Sequence, residues 1–193
     1  MKLPECFSKE KLLPLSLTGF VILLDQITKA IIVKNWTIPE GGFPVFIKDV
    51  FNNDFLRIIH VRNPAIAFSL GENLPEVIKP IAFIVFPILV LAFLVWYYFK
   101  SDEFNNVQKW AVAGIIGGGI GNIIDRIFRP DGVVDFISVN VYGLFRLNYW
   151  PTFNVADSSV VVCCILLFVT IFISYGKERV KAKVKVEIDE QEA

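Results

Sequence analysis

The sequence predicts a membrane α-helical protein with four transmembrane helices and a small β-sheet over the outer membrane face. Three observations point there. Hydrophobic residues make up 54% of 193 positions, and mean hydropathy is +0.57, more apolar surface than a soluble domain of this size needs. Four apolar runs each reach the roughly 20 residues that a helix needs to cross a ~30 Å hydrocarbon core. The long connections between runs one and two and between runs three and four carry short β-branched and aromatic segments separated by breakers.

The first run extends from about Leu12 to Val33, the second from about Val77 to Phe99, the third from about Val107 to Ile127 and the fourth from about Phe153 to Tyr175. Pro80 and Pro87 are expected to bend the second without vetoing it, because a bundle interior can satisfy the backbone groups they free. The first run exceeds a signal-peptide h-region, carries Asp25 and Lys29 and lacks a small-x-small exit, so it is expected to be retained. One membrane-embedded domain over 1–193 is expected, with 176–193 as a charged cytoplasmic tail, frayed or briefly helical.

Orientation follows the basic residues beside the spans. Lys2, Lys9 and Lys11, then Lys100 and Lys109, then Lys177, Arg179, Lys181, Lys183 and Lys185 share one side, assigned to the cytoplasm together with both termini. Trp96, Tyr97, Tyr98 and Trp110 mark that border, and Trp36 and Trp150 the outer one. In the outward connections the segments 55–61, 65–70, 133–139 and 141–145 read as strands.

Net charge is zero, with 19 basic and 19 acidic residues, and no basic stripe with interleaved aromatics suggests nucleic acid. Cys6, Cys163 and Cys164 have neither disulfide nor zinc spacing and read as small hydrophobes. With His60 the lone histidine, a transition-metal site is not expected, and His60 reads as a strand residue.

The polar residues inside the apolar runs carry the chemistry. In "DQITK", Asp25 and Lys29 are four apart on one helix face and read as an internal ion pair. In "AGIIGGGIGNIIDRIF", the pairs Gly114/Gly118 and Gly117/Gly121 fit close helix approach, and Asn122, Asp125 and Arg126 are expected to project together near the outer border. Asp135 sits within the apolar strand "VVDF", and Asn154 and Asp157 share the first turn of the fourth run in "FNVAD". Capping of a helix N-terminus explains Asp157 taken alone equally well. It does not explain so many polar groups at one depth. The joint explanation is a buried acid pair, Asp135 with Asp157, sharing one proton and hydrolysing a bond by general acid–base chemistry without metal or cofactor. Asn63, Asn122, Asn154 and Arg126 could then hold a peptide backbone.

"DQITK", "GNIIDR", "VVDF" and "FNVAD", in that order, resemble the motif blocks of the lipoprotein signal peptidases, the type II signal peptidases of bacteria, over about residues 12–175. The resemblance implies an aspartic intramembrane protease of the bacterial inner membrane with an extracytoplasmic β-sheet cradle. Asp135 and Asp157 match the catalytic positions. Asp25, Lys29, Asn63, Gly118, Asn122, Asp125, Arg126 and Asn154 match supporting ones. The implied substrate is a prolipoprotein, cut just before a diacylglyceryl-modified cysteine, with membrane lipid the other partner and a monomer expected. One block departs: in "NPAIAFS" Pro64 and Ala65 replace the family's glycine context, so a stiffer loop is expected. Two other classes remain open. One is a proton-coupled transporter subunit, although the acids form no ladder across the bilayer. The other is a magnesium-dependent lipid phosphotransferase using Asp125, Asp131 and Asp135.

Overall fold

The computed structural model describes residues 8–39, 42–64, 74, 75 and 77–191, with side chains to residue 179 except 178. The expected strand 65–70 lies outside the described residues, as does the departing block 63–69 beyond Pro64. Helices α1 (Lys9–Leu12) and α2 (Leu15–Asn35) are followed by strands β1 (Val45–Asp49) and β2 (Leu56–Asn63). A π-helical turn (Ile81–Val85) then leads into α3 (Phe86–Lys100), α4 (Asn106–Phe128), strand β3 (Val133–Val139) and α5 (Val155–Gln191). Among the described residues four helical stretches are long and apolar enough to cross a membrane: Lys9–Asn35, Ile81–Lys100, Asn106–Phe128 and Val155–Lys177.

Pro14 separates α1 from α2, and Pro87, which has no N–H to donate, follows the π-helical turn directly, so the widened turn falls where the proline interrupts the helical ladder. Asn105 starts α4 with a capping box: its side chain accepts from Gln108 N at 3.0 Å, and Gln108 Oε1 accepts from Asn105 N at 3.0 Å. The helix of α5 continues without interruption to Gln191, well beyond the span, where the sequence suggested a frayed tail or a short helix.

Helix α4 is the axle of the bundle, packed against α2, α3 and α5. Its glycines face two neighbours. A Cβ on Gly118 would sit 2.4 Å from the carbonyl oxygen of Ala156 on α5, and one on Gly117 would sit 3.0 Å from that of Thr18 on α2. Both contacts are with rigid backbone, so small residues are what allow three helices to meet at this depth. Polar groups pin the same contacts: Thr18 Oγ1 donates to Ala113 O at 2.7 Å and Ser159 Oγ to Gly114 O at 3.0 Å.

The three strands form one antiparallel sheet in the order β1-β2-β3, with Asn63 opposite Val133 and Val61 opposite Asp135. Ile32 of α2 packs with Val134 and Phe136 of β3, fastening the sheet to the bundle. After β3 the chain doubles back. Phe153 N donates to Ile137 O at 3.0 Å, and Phe153 O accepts from Ile137 N at 2.8 Å. This return sets the first turn of α5 beside β3.

The strand expected at 141–145 is not one. Tyr142, Gly143, Phe145 and Arg146 all have positive φ, which closes a tight loop around a 3-10 turn (Leu144–Arg146). β1 was not anticipated, because "VFIKD" offers only a short alternation.

Replacing Gly118 by alanine is expected to lower the thermal unfolding midpoint in detergent, with an overpacking cost of about 1–3 kcal/mol. Gly19→Ala, where a Cβ meets nothing within 4 Å, should leave the midpoint unchanged or raise it.

Candidate active site

Two layers of polar groups lie between the helices and the sheet. The deeper layer centres on Lys29, which is fully buried. Its Nζ lies 2.8 Å from Asp25 Oδ2 and 3.1 Å from Asp125 Oδ2, both carboxylates also fully buried. The i,i+4 pair read from the sequence is therefore present, and an acid from α4 joins it. Asp25 Oδ1 accepts from Ala156 N at 3.0 Å, taking up one of the unsatisfied donors at the start of α5. Asp125 Oδ2 accepts from Val134 N at 3.0 Å, and its Oδ1 pairs with Arg129. Two carboxylates and one ammonium thus tie together α2, α4, α5 and β3.

The upper layer lines a cavity of about 560 Å³. Lys29 Nζ donates to Asn122 Oδ1 at 2.9 Å, and Asn122 Nδ2 donates to Asp157 Oδ1 at 2.7 Å. Asn154 and Asp157 form a reciprocal cap on α5. Asn154 Oδ1 accepts from Asp157 N at 2.9 Å, and Asp157 Oδ2 accepts from Asn154 N at 3.1 Å. Asp157 is thus both a cap and a cavity residue, so the two readings of it are compatible. Asn154 Nδ2 also donates to Asp135 Oδ1 at 2.8 Å, while Asn63 Nδ2 donates to Asp135 Oδ2 at 3.0 Å. One residue, Asn154, therefore holds both carboxylates through different atoms. Arg126 lines the same cavity with its guanidinium 5.2 Å from the Phe83 ring.

Burial first, and the charge of Asp157 second, push the Asp135 carboxyl up to about 7, against the opposing pull of Asn63, Asn154 and Lys29. The folded protein therefore holds a proton that the unfolded chain releases near pH 3.8.

The structure brings Asp135, Asp157, Asn63, Asn122 and Arg126 to one cavity, with Asn154 fully buried behind the two acids. It separates Asp125 from them. The expected joint projection of Asn122, Asp125 and Arg126 is corrected, because Asp125 turns to the Lys29 layer while the other two face the cavity. A helix advances 100° per residue, so positions 122 and 126 align more closely with each other than position 125 does with the rest of the site. Asp131 lines a different cavity from Asp135, so the three carboxylates of the phosphotransferase reading do not converge. Gln26 was missed. Its Nε2 lies 3.1 Å from Asp25 Oδ2, 3.1 Å from Asp125 Oδ1 and 3.0 Å from Gly121 O. An amide inside an apolar run was the available signal. His60 is a buried strand residue, as read.

Fold and site together define a four-span membrane protein with two carboxylates, Asp135 and Asp157, lining one cavity where the helices meet a small sheet. A family model described as signal peptidase II matches residues 17–173. A lipoprotein signal peptidase of Treponema pallidum (strain Nichols) is 42% identical over 178 residues, covering 92% of this chain and 91% of that one. One of Treponema denticola is 40% identical over 171 residues, covering 89% and 95%. A solved bacterial membrane enzyme superposes with a TM-score of 0.68 at 29% identity, over 85% of this chain and 90% of the other. The chain belongs to the signal peptidase II family.

Lys29→Met strands two buried carboxylates, and a loss of about 3–5 kcal/mol is expected from removing one partner of a buried charge cluster. Thermal unfolding in detergent reads it. The Asp135 carboxyl has its folded value raised, so its contribution to stability is full below pH 3.8 and is lost as pH rises through about 7. Asp135→Asn should therefore be more stable than the parent at pH 8 and lose that advantage as pH falls.

Proposed function

We propose that this chain is an aspartic endopeptidase that removes the signal peptide from prolipoproteins, cutting just before a diacylglyceryl-modified cysteine. The observation that carries this reading is the pair Asp135 and Asp157, held by one asparagine in one cavity. Family membership supports the substrate class. The cavity wall supports a lipid-borne substrate: Val161 and Val162 line it and are 57% and 63% exposed on a membrane-spanning helix. A substrate anchored by its acyl chains could enter sideways from the bilayer, with the scissile bond placed by its own lipid.

At neutral pH the pair carries one proton, held by Asp135. Asp157 takes a proton from water, and the resulting hydroxide attacks the scissile carbonyl carbon while Asp135 donates its proton to the carbonyl oxygen. The intermediate is a neutral gem-diol. Collapse returns a hydroxyl proton to Asp135, and Asp157 delivers its proton to the leaving nitrogen. The C–N bond breaks to give a carboxylic acid and an amine, and the pair is again singly protonated. Asn122 and Asn154 hold Asp157 through both oxygens, which keeps it aimed at the water. Asn63 and Asn154 do the same for Asp135. Arg126, on the same wall, is placed to hold a substrate carbonyl.

In this reading the sheet lies on the extracytoplasmic side of the bacterial inner membrane, both termini are cytoplasmic, and the enzyme acts as a monomer.

Asp135→Asn and Asp157→Asn should each lower cleavage of a purified diacylglyceryl-modified precursor by about 10²- to 10⁴-fold, the range of general acid–base catalysis, with membrane insertion retained. A gel-shift assay reads this. EDTA should have no effect, whereas the phosphotransferase alternative loses activity with chelator. Because the general acid is Asp135, kcat/KM should fall as pH rises past about 7. Near-parental turnover in either variant would reject the assignment.

A further inference from the structure

Side chains alternate along β2, so Asn63 faces the Asp135 cavity while His60 and Arg62 turn to the opposite face of the strand. There they line a second cavity, of about 520 Å³, walled also by Val33, Thr37, Ile38 and Asp131. Two residues of its wall each carry a buried nitrogen without a partner: His60 Nε2, in a residue only 1% exposed, and Arg62 Nη1. His60 Nδ1–H donates to the carbonyl of Trp36, so the second ring nitrogen is the one left over. Unsatisfied buried polar atoms are rare in native proteins and ask for a partner.

The chemistry of that partner follows from the groups present. Arg62 offers a fixed N–H fork, the geometry that phosphate oxygens accept. His60 can add a second donor if its Nε2 takes a proton. Asp131, exposed at the mouth, repels a bare anion and attracts a cation. Val33 stands near the end of α2, a membrane-spanning stretch, so the cavity opens close to the lipid border.

We propose that this cavity binds a zwitterionic phosphate headgroup, its phosphate on Arg62 and His60 and its ammonium at Asp131. The source is either a phospholipid of the bilayer or a soluble phosphoamine. Burial, helped by the nearby Arg62 charge and opposed by the hydrogen bond to Trp36, holds the His60 ring below its usual value, which favours the neutral form. Arg62 is itself surrounded by Arg129, Asp131 and Asp125. A bound phosphate reverses the field on His60, and the ring takes up a proton on binding.

The chain has a single histidine, so nitrogen-15 histidine labelling of the full-length protein in dodecyl maltoside leaves one imidazole to follow by NMR. One arm titrates phosphoethanolamine. The other compares nanodiscs of phosphatidylethanolamine with nanodiscs of phosphatidylglycerol. The Nε2 resonance is expected to move toward the imidazolium position, with a raised titration midpoint, in phosphatidylethanolamine and not in phosphatidylglycerol. Arg62→Gln should weaken the response to phosphoethanolamine about tenfold, the equivalent of one lost charged hydrogen bond. Movement in the nanodisc arm identifies a lipid ligand, and movement with phosphoethanolamine alone identifies a soluble one. A resonance unmoved in every arm, or moved equally by phosphatidylglycerol or in Arg62→Gln, overturns the proposal and leaves the cavity to water.

Discussion

A single ammonium, that of Lys29, is the constraint on which the rest of the structure depends. It is buried among three helices with two carboxylates within 3.1 Å, and its removal would leave both buried acids short of the cation they share. Through Asp25 it reaches the first turn of α5, and through Asp125 the first residues of β3. Through Asn122 it reaches Asp157. The depth of Lys29 thus sets the depth of the acid pair. The net cluster is two negative charges against Lys29 and the flanking Arg129, so the deep layer is close to neutral. That neutrality is what a low-dielectric site demands.

The cluster could not form without thin helices. Gly117 and Gly121 let α2 approach α4, and Gly118 lets α5 approach from the other side. A Cβ at Gly121 would lie 2.8 Å from Asp25 Oδ2, so this glycine also leaves room for the carboxylate itself. Electrostatics and packing are therefore one problem here. The charges need short distances, and the short distances need residues without side chains.

The sheet adds the second acid. Asp135 belongs to a strand whose neighbouring buried residues, Val133, Val134 and Phe136, are apolar, and the return of the chain along β3 brings Asn154 under it. Where the sequence misled, the cause was local. The segment 141–145 has strand composition, but positive φ at Tyr142, Gly143 and Phe145 turns it into a loop. Composition reports a preference for extended backbone, and a loop pinned by contacts outside it overrides that preference.

Apolar length and basic flanks were enough to reveal four spans, because lipid tolerates few other ways of satisfying a backbone. Spacing was enough to pair Asp25 with Lys29 and to place Asn154 and Asp157 on one turn, because both relations lie within a single helix whose geometry is known in advance. The placement of Asp135 and Asp157 on one cavity was legible only as a joint inference and by resemblance. Three decisions belonged to the tertiary structure alone: Asp125 turning to the deep layer, Gln26 bridging two acids, and Asn154 holding both carboxylates. Each depends on contacts between segments far apart in the chain, and no local periodicity encodes the distance between two helices.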